Sequence, residues 1–263
     1  MIFESQLEKL KGQVGIDYPL TPVFPEEAPG IGILDGVINP KELEGFYKWI
    51  INTDDWGYSV YAATGPNDRA PQRIWGITVY TEDTPGNQPP FSIVKNLYGD
   101  HGQLFDLAAY CVNQVCNSPY DIFNIHLNGQ AKCQEATVHM DAGDAMIIML
   151  TPNWKEEYGG GLSLYKIDPE KKEAEHKPYY TVKYRPGRII FFHGTKGHSD
   201  GYWHPMTNLN EEPMWHKAEA PSHDCPLLRI TMNLKGRIHY PGNKVDEWDA
   251  MGLRVQEQTN AKI

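Results

Sequence analysis

His139-Met140-Asp141 sets an imidazole and a carboxylate two residues apart, and further histidines follow the apolar run Arg188-Ile-Ile-Phe-Phe192 at His193, Gly197-His198 and His204. Beyond them stands Arg229. Two imidazoles and one carboxylate are the donor set of a mononuclear non-haem Fe(II) centre, which grips the ion on one face and leaves the opposite positions open for a co-substrate and oxygen. A fixed guanidinium further along supplies a counter-charge for an acidic co-substrate. In an extended strand, side chains at i and i+2 share a face, so His139 and Asp141 reach one ion from a strand end that opens into a loop at Gly143. A lone HxD triplet is weak evidence, since its ordinary reading is a surface His and Asp at a turn. The residues themselves leave the third ligand open among His193, His198 and His204, each of which also reads as a loop histidine donating a hydrogen bond.

The elements that must position these groups are legible in outline. Residues 14–31 are rich in Pro and Gly, and Ile31 to Leu34 reads as a short strand. Asn39-Pro40-Lys41-Glu42 starts a helix, with Asn as cap, Pro in the first turn and Glu three residues after the cap. Leu43, Phe46, Tyr47, Ile50 and Ile51 then form one apolar stripe at helical spacing. Arg73 to Tyr80 alternates as a strand, and Phe91 to Val115 reads as a second helical stretch with a break near Gly99 and Gly102. From Tyr120 to Tyr240, β-rich runs alternate with turn signals: Asp121–Leu127, Glu135–Met140, Ala145–Leu150, Gly161–Ile167, Tyr179–Tyr184, Arg188–Phe192 and Leu227–Leu234. Asn128-Gly129 reads as a hairpin turn. Helices followed by many short strands predict an α+β, mainly β fold: a double-stranded β-helix, or jelly roll, with N-terminal supporting helices. The expected organisation is one domain, with residues 1–119 as helical support, 120–240 as the jelly-roll core and 241–263 as a polar tail. There is no internal repeat.

Composition narrows the function classes. Of 263 residues, 40% are hydrophobic and 22% charged, ordinary for a globular chain. A formal net charge of −10 weighs against broad electrostatic binding to nucleic acid or anionic membranes. No uncharged apolar run approaches the length of a membrane span. The four cysteines, Cys111, Cys116, Cys133 and Cys225, form no CxxC pair, so a zinc finger is not expected. Met1-Ile-Phe-Glu-Ser5 has no basic segment leading into an apolar core, which predicts a cytoplasmic protein with reduced thiols. The oligomeric state is not legible.

Several segments taken together resemble one enzyme family. His139-Met-Asp141, then Leu150-Thr-Pro-Asn-Trp154 and Gly159-Gly160-Gly161-Leu-Ser-Leu-Tyr165, are similar to the HxD, "LNxxW" and "GGxL" segments of the Fe(II)/2-oxoglutarate-dependent dioxygenases of the prolyl-4-hydroxylase-like group. Pro186-Gly187-Arg188-Ile-Ile-Phe-Phe192 through His198 resembles the family segment that ends on the distal iron ligand, and Leu228-Arg229-Ile230-Thr231 resembles its last strand. The likeness covers roughly residues 120–240, with an echo in Asp35–Trp56. It implies Fe(II) bound by His139, Asp141 and His198, with 2-oxoglutarate as co-substrate. Arg229 and Thr231 would grip its far carboxylate, and O2 would take the remaining position. The implied reaction is hydroxylation of a C–H bond, in a protein or peptide side chain such as proline or, alternatively, in a small molecule or nucleobase.

The chain departs from the family pattern at two points. The interval from His198 to Arg229 is 31 residues, longer than the family commonly has, which reads as an insertion at about Ser199 to Asp224. Its aromatic and Met residues, among them Trp203, Met214 and Trp215, read equally as a lid or as a flap over the sheet edge. Met149 stands where the family often has a Tyr that binds 2-oxoglutarate, a role that would pass to Asn128 or Thr231. Trp154 reads as a packing residue. The competing class is a non-catalytic jelly-roll binding module.

Overall fold

Period-two patterning in the later part of the chain folds into antiparallel strands that close as two facing sheets. A computed structural model describes residues 22–28, 30–58, 74–81, 111, 120–139, 141, 144–168, 173–174, 177–193 and 214–238. Its elements are β1 (Ile31–Leu34), α1 (Pro40–Asn52), β2 (Gly57–Tyr58), β3 (Trp75–Thr81), β4 (Tyr120–Gln130), β5 (Asp144–Met149), β6 (Leu162–Tyr165), β7 (Ile167–Asp168), β8 (Glu173–Ala174), β9 (Tyr180–Val182), β10 (Ile189–His193), β11 (Trp215–Ala218) and β12 (Arg229–Ile238). The larger sheet has seven strands in the order β1-β10-β5-β12-β4-β3-β2, and the smaller has three, β11-β6-β9. The chain shuttles between them: β5 in the large sheet, β6 and β9 in the small, β10 in the large, β11 in the small, β12 in the large. That alternation is the double-stranded β-helix expected from the sequence.

Two apolar layers hold the roll. Between the sheets, Ala145, Ile147, Met149, Ile190 and Phe192 meet Leu162, Leu164 and Val182. On the opposite face of the large sheet, Met146, Ile148, Phe191, Ile230, Met232 and Leu234 pack with Leu43 and Ile50 of α1. Each such buried side chain contributes roughly 1.5–3 kcal/mol of transfer free energy. The helix starts as its sequence predicts, with Asn39 Oδ1 accepting from the Lys41 amide at 2.9 Å and Pro40 in the first turn. Its apolar stripe ends at Ile50. Ile51 is 42% exposed, because eight residues on from Leu43 the helix has turned about 80° away from that face.

Other expectations are corrected. Asn128-Gly129 is no hairpin turn: both residues lie inside β4, where Asn128 pairs with Thr231 and Gly129 with Ile230 of β12. The glycine serves a close approach instead, since a Cβ there would sit 2.9 Å from the Trp56 ring. The proposed insertion is not one at its C-terminal end, because Trp215–Ala218 forms β11, a member of the small sheet paired along β6. The run Glu135–Met140 contributes one bridge, His139 to His216, on the outer side of β11. The helical stretch Phe91–Val115 lies outside the described residues except Cys111, which is helical and fully buried.

Candidate metal centre

The site is built where the small sheet meets the polar end of the large one. His139 and His216 exchange both backbone hydrogen bonds, each amide donating to the other's carbonyl at 2.9 Å. Residues paired in this way point their side chains to one face, and the two rings lie 4.5 Å apart at their centroids. Asp141, two residues beyond His139, comes to the same face. Its Oδ2 is 3.5 Å from His216 Nε2, and its Oδ1 is 3.8 Å from His139 Nε2. One ligand atom from each of the three lies within 4.8 Å of the others. Phe192 closes the wall, edge-on to His216 at 4.8 Å.

Hydrogen bonding fixes which ring nitrogen faces inward. His139 Nδ1 is 2.9 Å from the Thr137 carbonyl and His216 Nδ1 is 3.0 Å from the Met214 carbonyl. A carbonyl only accepts, so each Nδ1 carries a proton and each ring turns its Nε2 toward Asp141. Burial, reinforced by the neighbouring His216, pushes the His139 imidazole down to about 4, so it is neutral near pH 7. Burial opposes ionisation of Asp141, but Lys235, His216 and His139 outweigh it and hold the carboxyl well below its ordinary range. Two imidazole Nε2 atoms and a carboxylate therefore converge on one point, with one ligand atom from each within 4.8 Å of the others. The donor set fits a divalent first-row metal such as Fe(II). The carbonyl-anchored Nδ1 atoms are the outer contacts that orient metal-binding histidines.

One wall of the adjoining pocket is polar. From β12, Arg229, Thr231 and Asn233 project into it, and from β4, Gln130, Asn128 and His126 stand directly opposite them. Arg229 is 1% exposed. It donates from Nε to the Gly160 carbonyl and from Nη1 to Gln130 Oε1 at 2.9 Å, with the Tyr184 ring 5.3 Å from its guanidinium carbon. Gln130 is held in turn, its Nε2 donating to the carbonyls of Gln134 and Ala218. Gly160 has to be glycine: its φ is +72°, and a Cβ would lie 2.8 Å from Trp154 and 3.2 Å from Arg229. No carboxylate among the described residues lies within ion-pair distance of Arg229. Burial drives its basicity down to about 10, still cationic near neutrality. A buried guanidinium without an anion is costly, and Asn128 Oδ1 is likewise buried with no hydrogen-bond partner. His126 is buried as well. Its Nδ1 lies 2.6 Å from Asn124 Oδ1, and burial, with the Lys235 charge, pushes its imidazole down to about 3.

His139, Asp141, Arg229, Thr231 and Asn128 thus line one pocket. His198 and His204 lie outside the described residues, and His193 is a β10 residue whose backbone pairs with Asp144. Among the described residues, His216 is the histidine brought to His139 and Asp141. Sequence reading left it inside a supposed insertion, although a signal was available. His216 precedes Arg229 by 13 residues, the shorter interval that the resemblance leads one to expect. Lys235 and His126 carry no such signal, since each looks like an ordinary outward polar position of a strand. Trp154 is the packing residue expected, 8% exposed, its Nε1 donating to the Gly159 carbonyl at 3.0 Å. Met149 is fully buried between the sheets. Cys111, Cys133 and Cys225 carry free thiols. No helix among the described residues is long and apolar enough to cross a membrane.

No protein-family profile matches the chain, and no curated protein sequence does. Solved structures do. A viral collagen prolyl hydroxylase from Paramecium bursaria Chlorella virus-1, in complex with 2OG, aligns over 78% of this chain and 94% of its own at 14% identity, TM-score 0.42. A Pseudomonas putida prolyl-4-hydroxylase aligns over 90% and 100% at 10% identity, TM-score 0.43. The alpha-ketoglutarate-dependent carbocyclase SnoK of nogalamycin biosynthesis aligns over 81% and 85% at 12% identity, TM-score 0.46.

Proposed function

We propose that this chain is an Fe(II)- and 2-oxoglutarate-dependent dioxygenase that hydroxylates a substrate C–H bond. The observation that carries the reading is the pairing, in one pocket, of two inward Nε2 atoms and a carboxylate with a buried guanidinium that has no anion among the described residues. One end of the pocket wants a cation and the other wants an acid, and 2-oxoglutarate, which chelates a metal at one end and carries a carboxylate at the other, satisfies both. His139, Asp141 and His216 would hold the metal. Arg229 would pair with the far carboxylate of the co-substrate, pre-aimed by Gly160 and Gln130, which fix its plane before the ligand arrives. Thr231 and Asn128, cross-strand neighbours, would supply the hydrogen bonds that Met149 cannot. Bound Fe(II) with 2-oxoglutarate and O2 supplies the oxidising chemistry, which consumes the co-substrate to succinate and CO2 while an oxygen atom enters the substrate. The apolar wall of Ile147 and Leu162 limits water beside the reacting atoms.

The prolyl-4-hydroxylase-like motifs make a prolyl or other protein side chain the first substrate to test, with small molecules next. The assignment itself is tested without substrate. Anaerobic titration with Fe(II) and 2-oxoglutarate is expected to give the weak visible charge-transfer band of the chelate, lost in His216→Ala, weakened in Arg229→Ala and kept in His198→Ala. Folded, metal-loaded protein that shows no band would leave a binding module as the better reading. Loss of the band in His198→Ala with retention in His216→Ala would move the third ligand.

A further inference from the structure

Lys235 is the one cation at the triad among the described residues. It follows Arg229, Thr231 and Asn233 on the inward face of β12, beside a bulge where the register with β4 shifts between Lys235 and Gly236. Its Nζ lies 2.6 Å from Asp141 Oδ1, with the two side chains 11% and 6% exposed. The contact is off the hydrogen-bonding direction, since Oδ1 has no aligned donor, so what joins the two is charge. We propose that Lys235 is the counter-ion of Asp141 in the metal-free protein, and that it confines metal binding to the other carboxylate oxygen, Oδ2.

The inference rests on the metal reading above, and its logic is electrostatic. A buried carboxylate needs a positive charge beside it, and without a metal Lys235 provides it. An incoming ion replaces that service and then lies close to a second positive charge in a poorly solvated place. Lys235 therefore stabilises the metal-free protein more than the loaded one and weakens metal affinity. With Oδ1 engaged by the ammonium, Asp141 offers the ion Oδ2, the oxygen 3.5 Å from His216 Nε2. His139, Asp141 and His216 would then offer a metal three ligand atoms rather than four. Lys235 acts through Asp141 and is a positioning residue.

Co(II), whose visible bands report its coordination, serves as the probe in titrations and melting curves of the full chain. Lys235→Met is expected to lower the melting temperature of the metal-free protein, to tighten the Co(II) dissociation constant at least tenfold and to enlarge the Co(II)-induced rise in melting temperature. Co(II) bands altered toward higher coordination are also expected. Lys235→Arg keeps the charge and should stay near wild type. If metal-free Lys235→Met does not fold, Lys235→Gln purified with Co(II) and then challenged with a chelator gives the same comparison, expected as slower metal loss. An unchanged or weaker Co(II) affinity in the neutral variants overturns the proposal while leaving the metal site standing. Failure of the wild-type chain to bind Co(II) overturns both.

Discussion

Along β5 and β10 the side chains that point between the sheets are Ala145, Ile147, Met149, Ile190 and Phe192. Along β4 and β12, in the same sheet, the inward positions carry His126, Asn128, Gln130, Arg229, Thr231, Asn233 and Lys235. The outward faces of all four strands are alike, apolar and packed in one layer that includes α1. The roll therefore has one interior half that serves as core and one that gives up apolar burial for polar groups, of which Asn128 Oδ1 has no hydrogen-bond partner. Burying an unpaired polar group costs on the order of 1–3 kcal/mol, and hydrogen-bonded ones still forgo apolar transfer energy, so this half stabilises the fold less than the other. The difference between the halves, more than any single residue, separates scaffold from site.

The sharpest break should come from His216→Ala. It removes a ligand from the polar half while the strand pairing around it survives, so divalent-metal affinity should fall by more than about 100-fold with the circular dichroism spectrum retained. Calorimetric titration reads this directly. Arg229→Met should weaken 2-oxoglutarate by about 10²–10⁴-fold, the loss of a buried charge pair worth roughly 3–5 kcal/mol, with metal affinity little changed. An equal loss of both ligands would mean that Arg229 merely holds the fold.

The outward face of the same strand should answer in the opposite way. Leu234→Ala removes a fully buried side chain from the layer against α1 and should cost about 2–5 kcal/mol in denaturant unfolding, leaving the metal dissociation constant in the metal-loaded folded protein within about twofold. The mildest effect is in pH. His126 and His139 resist protonation down to about 3 and about 4 in the folded protein, whereas the unfolded chain takes up these protons near pH 6.5. The metal-free protein should therefore lose stability as pH falls below about 6.5, by at most about 1.4 kcal/mol per pH unit for each imidazole. The loss from each should level off below its folded value. His126→Gln should flatten part of that slope.

How much of this was legible in the sequence follows from the same two halves. Core strands announce themselves by hydrophobicity, so Ala145–Leu150 and Arg188–Phe192 were found nearly to their ends, and the Asn39-Pro40 helix start is a local signal that needs no tertiary context. His139 and Asp141 were readable because their spacing is local. The place of His216 was not, because the pairing that brings it to His139 joins segments 77 residues apart and depends on which strand adds to β11. Inward polar residues such as Gln130 and Lys235 have the same alternation as outward ones, and a strand pattern cannot tell which face is wet. Asn128-Gly129 misled for a related reason. The dipeptide suits a turn, but here the glycine makes room for Trp56 and the asparagine turns to the pocket.

The central claim is that His139, Asp141 and His216 bind one metal ion opposite Arg229. Anomalous diffraction from crystals grown with Mn(II) and 2-oxoglutarate tests it most directly. The account predicts a single strong peak ligated by the two Nε2 atoms and one oxygen of Asp141, with the far carboxylate of 2-oxoglutarate on Arg229. A peak held by His198 in place of His216, or no peak at Asp141 in crystals that contain Mn(II) elsewhere, would contradict it.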